Sequence, residues 1–428
     1  MASGTAPPDF DAICIGCGPS GNLVAYLLAR AGWRVLLLDR RPLPRGKVCG
    51  GGLSARALTL LPYDISPVVH QHMQGANLAL AGRVLGEVAS AGIGAMIERA
   101  EFDAFMTAQA VAAGAQVRDG EAIEDLGEDR DGVWVRTTCA RLSARLLIGA
   151  DGARSTVRAL LFPEWRAQFA FGIEAHYRWP ADRQPAPTQR DWALFDFGTL
   201  DQGYGWVFPK RDHFNVGIYR IQKPRRAASL KQALSAFEGQ HPGLASCTAT
   251  RSLGHPIPLS DGRQPVGRGR SILVGDAAGL GEAFLGEGIA FALQSAHLAA
   301  AWAIAAFAGE CAAGHLACAA GRGLSESARF RPARPWEASL RPLIGELRYS
   351  LRIARLLYLL PPPLLQRAVG AAAIQQLVVG LLQGRRTYRQ TFWQLMAALP
   401  AALLRAPRPG AETALADGQS SATLPARD

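Results

Sequence analysis

The stretch DAICIGCGPSGNLVAYLLARAGWRVLLLD, residues 11–39, constrains the fold more than any other part of the chain. An apolar run through Ile13 and Ile15 meets three glycines, Gly16, Gly18 and Gly21, within six residues. A helical period then continues to about Arg30, and a second apolar run, Val35–Leu38, ends on Asp39. Continuous apolar strands of this kind suit a parallel sheet buried on both faces. The first glycine permits a tight turn, the second lets backbone approach a pyrophosphate, and the third lets helix and strand pack closely. The helix start turns its partial positive charge toward the phosphates, and Asp39 is placed to accept from a ribose hydroxyl. Strand, turn, helix and acid in this order predict a dinucleotide-binding unit, where a lone glycine triplet would be weak ground.

The chain has 428 residues, too many for one core, so two or three folded units are expected. Its net charge of +11 is carried mostly by arginine and favours anionic ligands, acidic partners or an anionic membrane surface. No aromatic-basic module points to nucleic acid. Seven cysteines, at 14, 17, 49, 139, 247, 311 and 318, are scattered and odd in number, with neither metal-ligand nor disulfide spacing, and no metal is expected. The polar opening MASGTAPPDF runs straight into a strand and shows no secretory signal, so a reducing, cytoplasmic location is expected.

Further along, helical periodicity around residues 100–112 gives way to short strands that close on LLIGADG. Residues 161–253 are strand-like, and 14 of the 33 aromatics fall between 161 and 220, which marks a region of different character. Strand and turn return at RSILVGDAAG, followed by a long apolar helix. From 329 to 405 twelve arginines face only Glu337 and Glu346, and Pro361–Pro363 break this part into at least two helical stretches. Residues from about Ala406 are expected to be disordered. Ile289–Ala308 and Leu364–Leu382 have membrane-like hydropathy but carry interrupting polar residues. The first reads as a buried helix, the second as one lying on a membrane surface rather than crossing it.

KVCGGGLS, residues 47–54, sets Cys49 against three glycines. The thiol invites three readings: nucleophile, metal ligand, or a group close to a flat ligand. Three glycines let backbone lie on a planar molecule with no Cβ in the way.

Two further stretches carry a resemblance. LLIGADGARSTVR, with Asp151, Gly152, Ser155 and Arg158, and ILVGDAAGLGEAFLGEGIAFAL, with Asp276, resemble the second and third flavin signatures of FAD-dependent oxidoreductases built like para-hydroxybenzoate hydroxylase. That resemblance implies FAD, with Asp276 on ribityl or pyrophosphate oxygens. It also implies a helix opening near Gly286–Gly288 that aims its dipole at the flavin. Arg99, in ERAEFDAF, resembles the arginine these enzymes place near the cofactor; a solvated helix-end arginine is the other reading. No second glycine triplet follows the first unit, so NAD(P)H docks transiently or another donor, such as a ferredoxin-type or other acidic electron-transfer protein, replaces it.

A narrower resemblance follows. PRGKVCGGGLSARAL is similar to the PRxKxCGGxLSxRAL signature of the geranylgeranyl reductase family, and Tyr204, Trp206, Phe208 and Pro209 match its YxWxFP motif. The similarity spans roughly residues 10–300. Ala283 and Leu285 stand where the family commonly has proline and threonine. The implied fold is α/β: a Rossmann-like FAD-binding domain (9–60, 99–160 and 254–330) with an inserted antiparallel-sheet substrate domain (61–98 and 161–253). A C-terminal helical region (331–405) and a disordered tail (406–428) complete it. The implied activity is saturation of isolated double bonds in isoprenoid chains, which calls for a dry groove and one positioned acid. Cys49 is the candidate for that acid by position, with Tyr204 or an ordered water as rivals, and Gly51, Gly52, Trp206 and Phe208 are the candidates for contacts with the substrate. A free thiol with a pKa of ~8.5 is neutral at pH 7 and can donate. His213 and His255 read as loop histidines satisfied by backbone. Arg348, Arg352 and Arg355, at helical spacing, suit lipid headgroups or a diphosphate, which allows a peripheral place on the inner membrane face. An aromatic monooxygenase or halogenase of the same fold, and a non-catalytic flavin and isoprenoid carrier, are the competing expectations.

Overall fold

A computed structural model describes residues 8–129, 132–180, 182, 185, 190–200, 202–221, 229–320 and 335–404. The expected tail, and Arg329, Arg331, Arg334 and Arg405, lie outside them.

The opening strand Phe10–Ile15 pairs in parallel with Val35–Asp39 on one side and Arg141–Gly149 on the other. Gln116–Asp119 and Ser271–Leu273 extend this parallel core, and the hairpin Ile123–Glu128/Val133–Thr137 joins at Arg141–Gly149. The first helix, Pro19–Arg30, starts with proline in its first turn, where the missing N–H costs nothing. It packs between Arg99–Ala112 and the long helix Gly288–Ala320. Val35, Leu36, Leu37 and Leu38 are all essentially inaccessible, which explains the unbroken apolar run in the sequence.

A second, nine-stranded sheet combines two excursions of the chain, Gly52–Ile97 and Gln168–Leu259. The expectation of an antiparallel sheet needs one correction. Trp192–Phe197 pairs in parallel with Val69–Leu80, where the excursions meet. No hairpin links these two segments, so nothing forces them to run in opposite directions. Elsewhere the pairing is antiparallel. One face is covered by the helix Leu230–Glu238, opened by a capping box of Ser229 and Gln232. The opposite face looks toward the first sheet.

Four helices, Trp336–Tyr358, Pro362–Gly370, Ala372–Leu382 and Tyr388–Leu404, form the C-terminal layer. Gln375 donates to Leu85 O at 3.3 Å and Gln383 to Ser90 Oγ, fixing the layer on the strand Arg83–Ile97. Among the described residues one helix, through Gly288–Ala308, is long and apolar enough to cross a membrane, and 61% of that window is buried in the fold. Leu364–Leu382 is no single span, because its two helices bend by 71° at their junction.

Candidate active site

A cavity of about 490 Å³ opens between the two sheets. Its polar side is made of backbone. Gly16 has φ +109°, and a Cβ there would sit 2.5 Å from Ala150 O. Gly21 meets the same turn, with Gly16 O only 1.9 Å from where its Cβ would be. Gly18 is different: nothing lies within 4 Å of its missing Cβ, so the turn presents open backbone to the cavity. Asp39 ends the second strand and accepts from Cys17 N at 3.0 Å and Arg45 Nε at 2.9 Å. Asp151 caps the helix Thr156–Leu161 by accepting from Thr156 N and Val157 N, while burial holds its carboxyl above the usual range. Arg158 ties the second and third signatures together, donating to Ala153 O, Asp276 O and Ala277 O. Gly286, with φ +69°, turns the chain into the helix that begins at Gly288, where Asp276 Oδ1 faces the helix start. Of the expected cofactor and substrate residues, all but Gly21 line this one cavity; Gly21 packs helix against strand.

The glycine loop after Cys49 is held from beneath. Gly51 has φ +66°, and a side chain there would strike Ile97 O and Lys210 Nζ. Lys210, 2% exposed, donates to Gly50 O and Ile97 O, both at 2.7 Å. Cys49 N donates to Glu174 Oε1 at 2.9 Å. Arg99 is buried, which removes the solvated helix-end reading. It grips Asp103 through two bonds of 2.9 and 2.8 Å and stands beside the Cys49 side chain. Burial opposes its charge, but the Asp103 carboxylate more than compensates and raises its pKa.

Sequence reasoning missed a buried polar group behind this loop. Burial raises Glu174 and lowers Lys210, the latter against the charges of Glu98, Cys49 and Glu174. His213 was expected in a loop but opens the strand His213–Arg220, packed 2.8 Å from Asp212 Oδ1 and 3.3 Å from Glu98 Oε1. Burial alone would raise Glu98, but the closeness of His213 and the charge of Lys210 turn the balance downward. Glu98, His176 and His213 bring one ligand-type atom each within 4.8 Å of one another. The two imidazoles stack at 17°, so their in-plane lone pairs run nearly parallel and do not converge on one ion. His255 is likewise no loop residue. It lies on Leu253–Leu259 and lines the cavity, where burial and then the charges of Lys47, Arg154, Arg99 and Arg41 lower its pKa to about 3. Periodicity gives no sign of such partners, because they come from strands far apart in the chain.

The other side of the cavity is built from side chains. Met73, Ile93, Met96, Phe195, Trp206 and Leu382 line it, drawn from both excursions and the C-terminal layer. Trp206 Nε1 donates to Asn215 Oδ1 at 2.7 Å, which fixes the indole plane. Tyr204 OH donates to Leu285 O at 2.5 Å, Tyr219 OH to Ala283 O at 3.0 Å, and Tyr358 OH to Phe284 O. Three hydroxyls therefore fasten the loop in which this chain departs from the PxT pattern. Glu282 accepts from Phe284 N and Leu285 N there, and burial lifts its pKa to about 7. Glu287, also unanticipated, lines the cavity, accepts from Ser54 Oγ and is raised by burial.

The open turn at Gly18, the flat glycine loop and the helix start at Gly288 are the features an extended dinucleotide with a planar ring requires. A family model described as an FAD binding domain matches residues 9–171. An uncharacterized protein of Methanosarcina barkeri is 31% identical over 68% of this chain and 73% of its own length. The geranylgeranyl diphosphate reductase of Rhodobacter capsulatus is 30% identical over 69% and 75%. The chain belongs to the geranylgeranyl reductase family. A crystal structure of a geranylgeranyl bacteriochlorophyll reductase-like protein from Thermoplasma acidophilum shares the fold, with a TM-score of 0.70 at 22% identity over 91% of this chain and 98% of that one. Like other members, this reductase is an FAD-dependent oxidoreductase, and its mixed α/β architecture with a C-terminal helical layer is the family's.

Proposed function

We propose that the enzyme saturates carbon–carbon double bonds in geranylgeranyl-type isoprenoid chains, carried by a diphosphate, a pigment, a quinone or a lipid. One observation supports this most: the backbone cradle for the cofactor and the apolar channel are two ends of the same cavity. Bound and reduced, FAD supplies the hydride. An unactivated alkene is a poor hydride acceptor and needs a proton at its other carbon. Cys49 is the proposed donor, with the Cys49 N–Glu174 bond and the bond from Gly51 N to Cys49 Sγ fixing its position. The Tyr204 hydroxyl proton is engaged on Leu285 O, so we assign Tyr204 to holding the loop instead. Trp206, Phe208 and Phe195 exclude water and grip the chain. Gly51 and Gly52 let the alkene lie close to the ring. Gly16, Gly18, Asp39, Asp276 and Gly288 are the proposed FAD contacts. The proposed electron donor is NAD(P)H or a ferredoxin-type protein, for which the basic surface is suited, and the proposed location is the cytoplasm, at the inner face of the membrane.

The test is anaerobic: reduce the flavin with dithionite, add geranylgeranyl diphosphate, and weigh the products. Gain of hydrogen pairs is expected. Recovery of unchanged diphosphate, quinone and lipid substrates from reduced, FAD-loaded enzyme would contradict the proposal.

A further inference from the structure

Eight large apolar side chains are exposed among the described residues, and four of them, Leu359, Trp393, Met396 and Leu404, lie in the C-terminal layer. The other four, Val111, Leu160, Leu253 and Ile304, are scattered over separate elements. On the helix Tyr388–Leu404 the buried face is Tyr388, Thr391, Leu395, Leu399 and Ala402. The solvent face should then be polar, yet past Gln394 it holds Met396, Ala397, Pro400, Ala401 and Leu404, with Trp393 just before. Apolar residues at that spacing form a stripe pointing away from the protein. The neighbouring helix Trp336–Tyr358 runs parallel to it. Glu346 bonds Tyr388 N, and Tyr349 packs on Phe392 at 5.6 Å. Arg367 donates to Leu403 O, which brings the helix Pro362–Gly370, and with it Leu359 and the exposed prolines 361–363, to the last turn. One end of the layer is therefore an exposed apolar tip.

Charge decides what covers it. Residues 347–411 contain nine arginines and no acidic residue. Arg352, Arg355 and Arg389 are exposed on the two helices, and Arg385 on the turn before the second. A second copy of this chain would bring like charges together, whereas an anionic bilayer accepts both the apolar tip and the basic collar. We propose that the exposed apolar residues Leu359, Trp393, Met396 and Leu404, the stripe that ends in this tip, insert into an anionic lipid surface, with these arginines on the headgroups. The proposal deepens the proposed function: the same layer supplies Leu382 to the cavity wall, so docking it brings the cavity to the membrane that would carry a lipid-borne chain. Its link to isoprenoid substrates rests on that reading; the docking itself does not.

The experiment is flotation of the full-length, FAD-loaded protein with vesicles of phosphatidylcholine alone or with one-third phosphatidylglycerol. The wild type is expected to float with the anionic vesicles, roughly tenfold more than with the neutral ones, and to be released by salt. Trp393→Glu with Met396→Glu abolishes flotation, and Arg385→Gln with Arg389→Gln lowers it roughly tenfold. Val111→Glu with Leu253→Glu floats like the wild type. Melting temperature and flavin content report that each variant is folded. A wild type that stays in the soluble fraction, a tip variant that floats unchanged, or a concentration-dependent dimer broken by the tip variant overturns the proposal. Because binding is read without substrate, a wild type that reduces alkenes but does not float refutes the docking alone.

Discussion

The two ends of the cavity are made by different means. The cofactor end is backbone: Gly16, Gly18, Gly51, Gly152 and Gly286 give shape by what they lack, and three of the surrounding carboxylates are spent on holding turns. The channel end is side chain: Met73, Ile93, Met96, Phe195, Trp206 and Leu382 converge from five separate segments. Backbone shape tolerates almost no substitution, whereas a greasy wall can be repacked with conserved volume. The difference predicts that one end fixes the reaction type and the other sets which isoprenoid is taken.

The largest effect is expected beneath the loop that joins the two ends. Lys210→Met removes both bonds to Gly50 O and Ile97 O and a positive charge that offsets buried Glu174. A loss of roughly 3–5 kcal/mol, read by urea unfolding, is expected. Next, Gly18→Val sharpens the difference, since that glycine has ordinary φ and open space. The fold should keep its melting temperature while FAD affinity falls ~10²-fold or more, measured by titration of the apoprotein. Cys49→Ser should keep full flavin content and lose turnover ~10²-fold in single-turnover assays, whereas Glu287→Gln should lose less than tenfold. The reverse order would move the proton donor to Glu287.

The smallest expected effect is a pH slope. His255 holds its pKa near 3, while the unfolded chain binds a proton near 6.5. Between those values the unfolded state carries the extra proton, so stability of the apoprotein falls as pH drops from about 6.5 toward 3. His255→Asn should flatten that part of the curve in acid unfolding monitored by tryptophan fluorescence. Because part of the ring is exposed, screening makes the contribution modest.

What could be read from the sequence follows the same division. The turn at Gly16–Gly21, the helix start at Gly288 and the loop at Gly50–Gly52 are local, so their residues stand together in the chain. Lys210, Glu174, Glu98 and Glu287 meet only after two distant excursions share a sheet. A lone lysine after YGWVFP carries no mark of burial, and Glu287 looks like any polar residue at a helix start. The parallel pairing of Trp192–Phe197 with Val69–Leu80 was invisible for the same reason, since strand direction there is set by the return of the chain and by no turn. Leu382 could not be assigned to the cavity, because nothing in a helical stretch says which sheet it covers.

The central claim is that cradle and channel form one reacting space. Ala193, buried on the channel wall, offers the direct test. Follow flavin absorbance anaerobically after mixing dithionite-reduced enzyme with geranylgeranyl diphosphate, in the wild type and in Ala193→Trp. The wild type should reoxidise, while the variant should bind FAD equally well and stay reduced. Equal reoxidation in both, or none in a fully loaded wild type, would contradict the account.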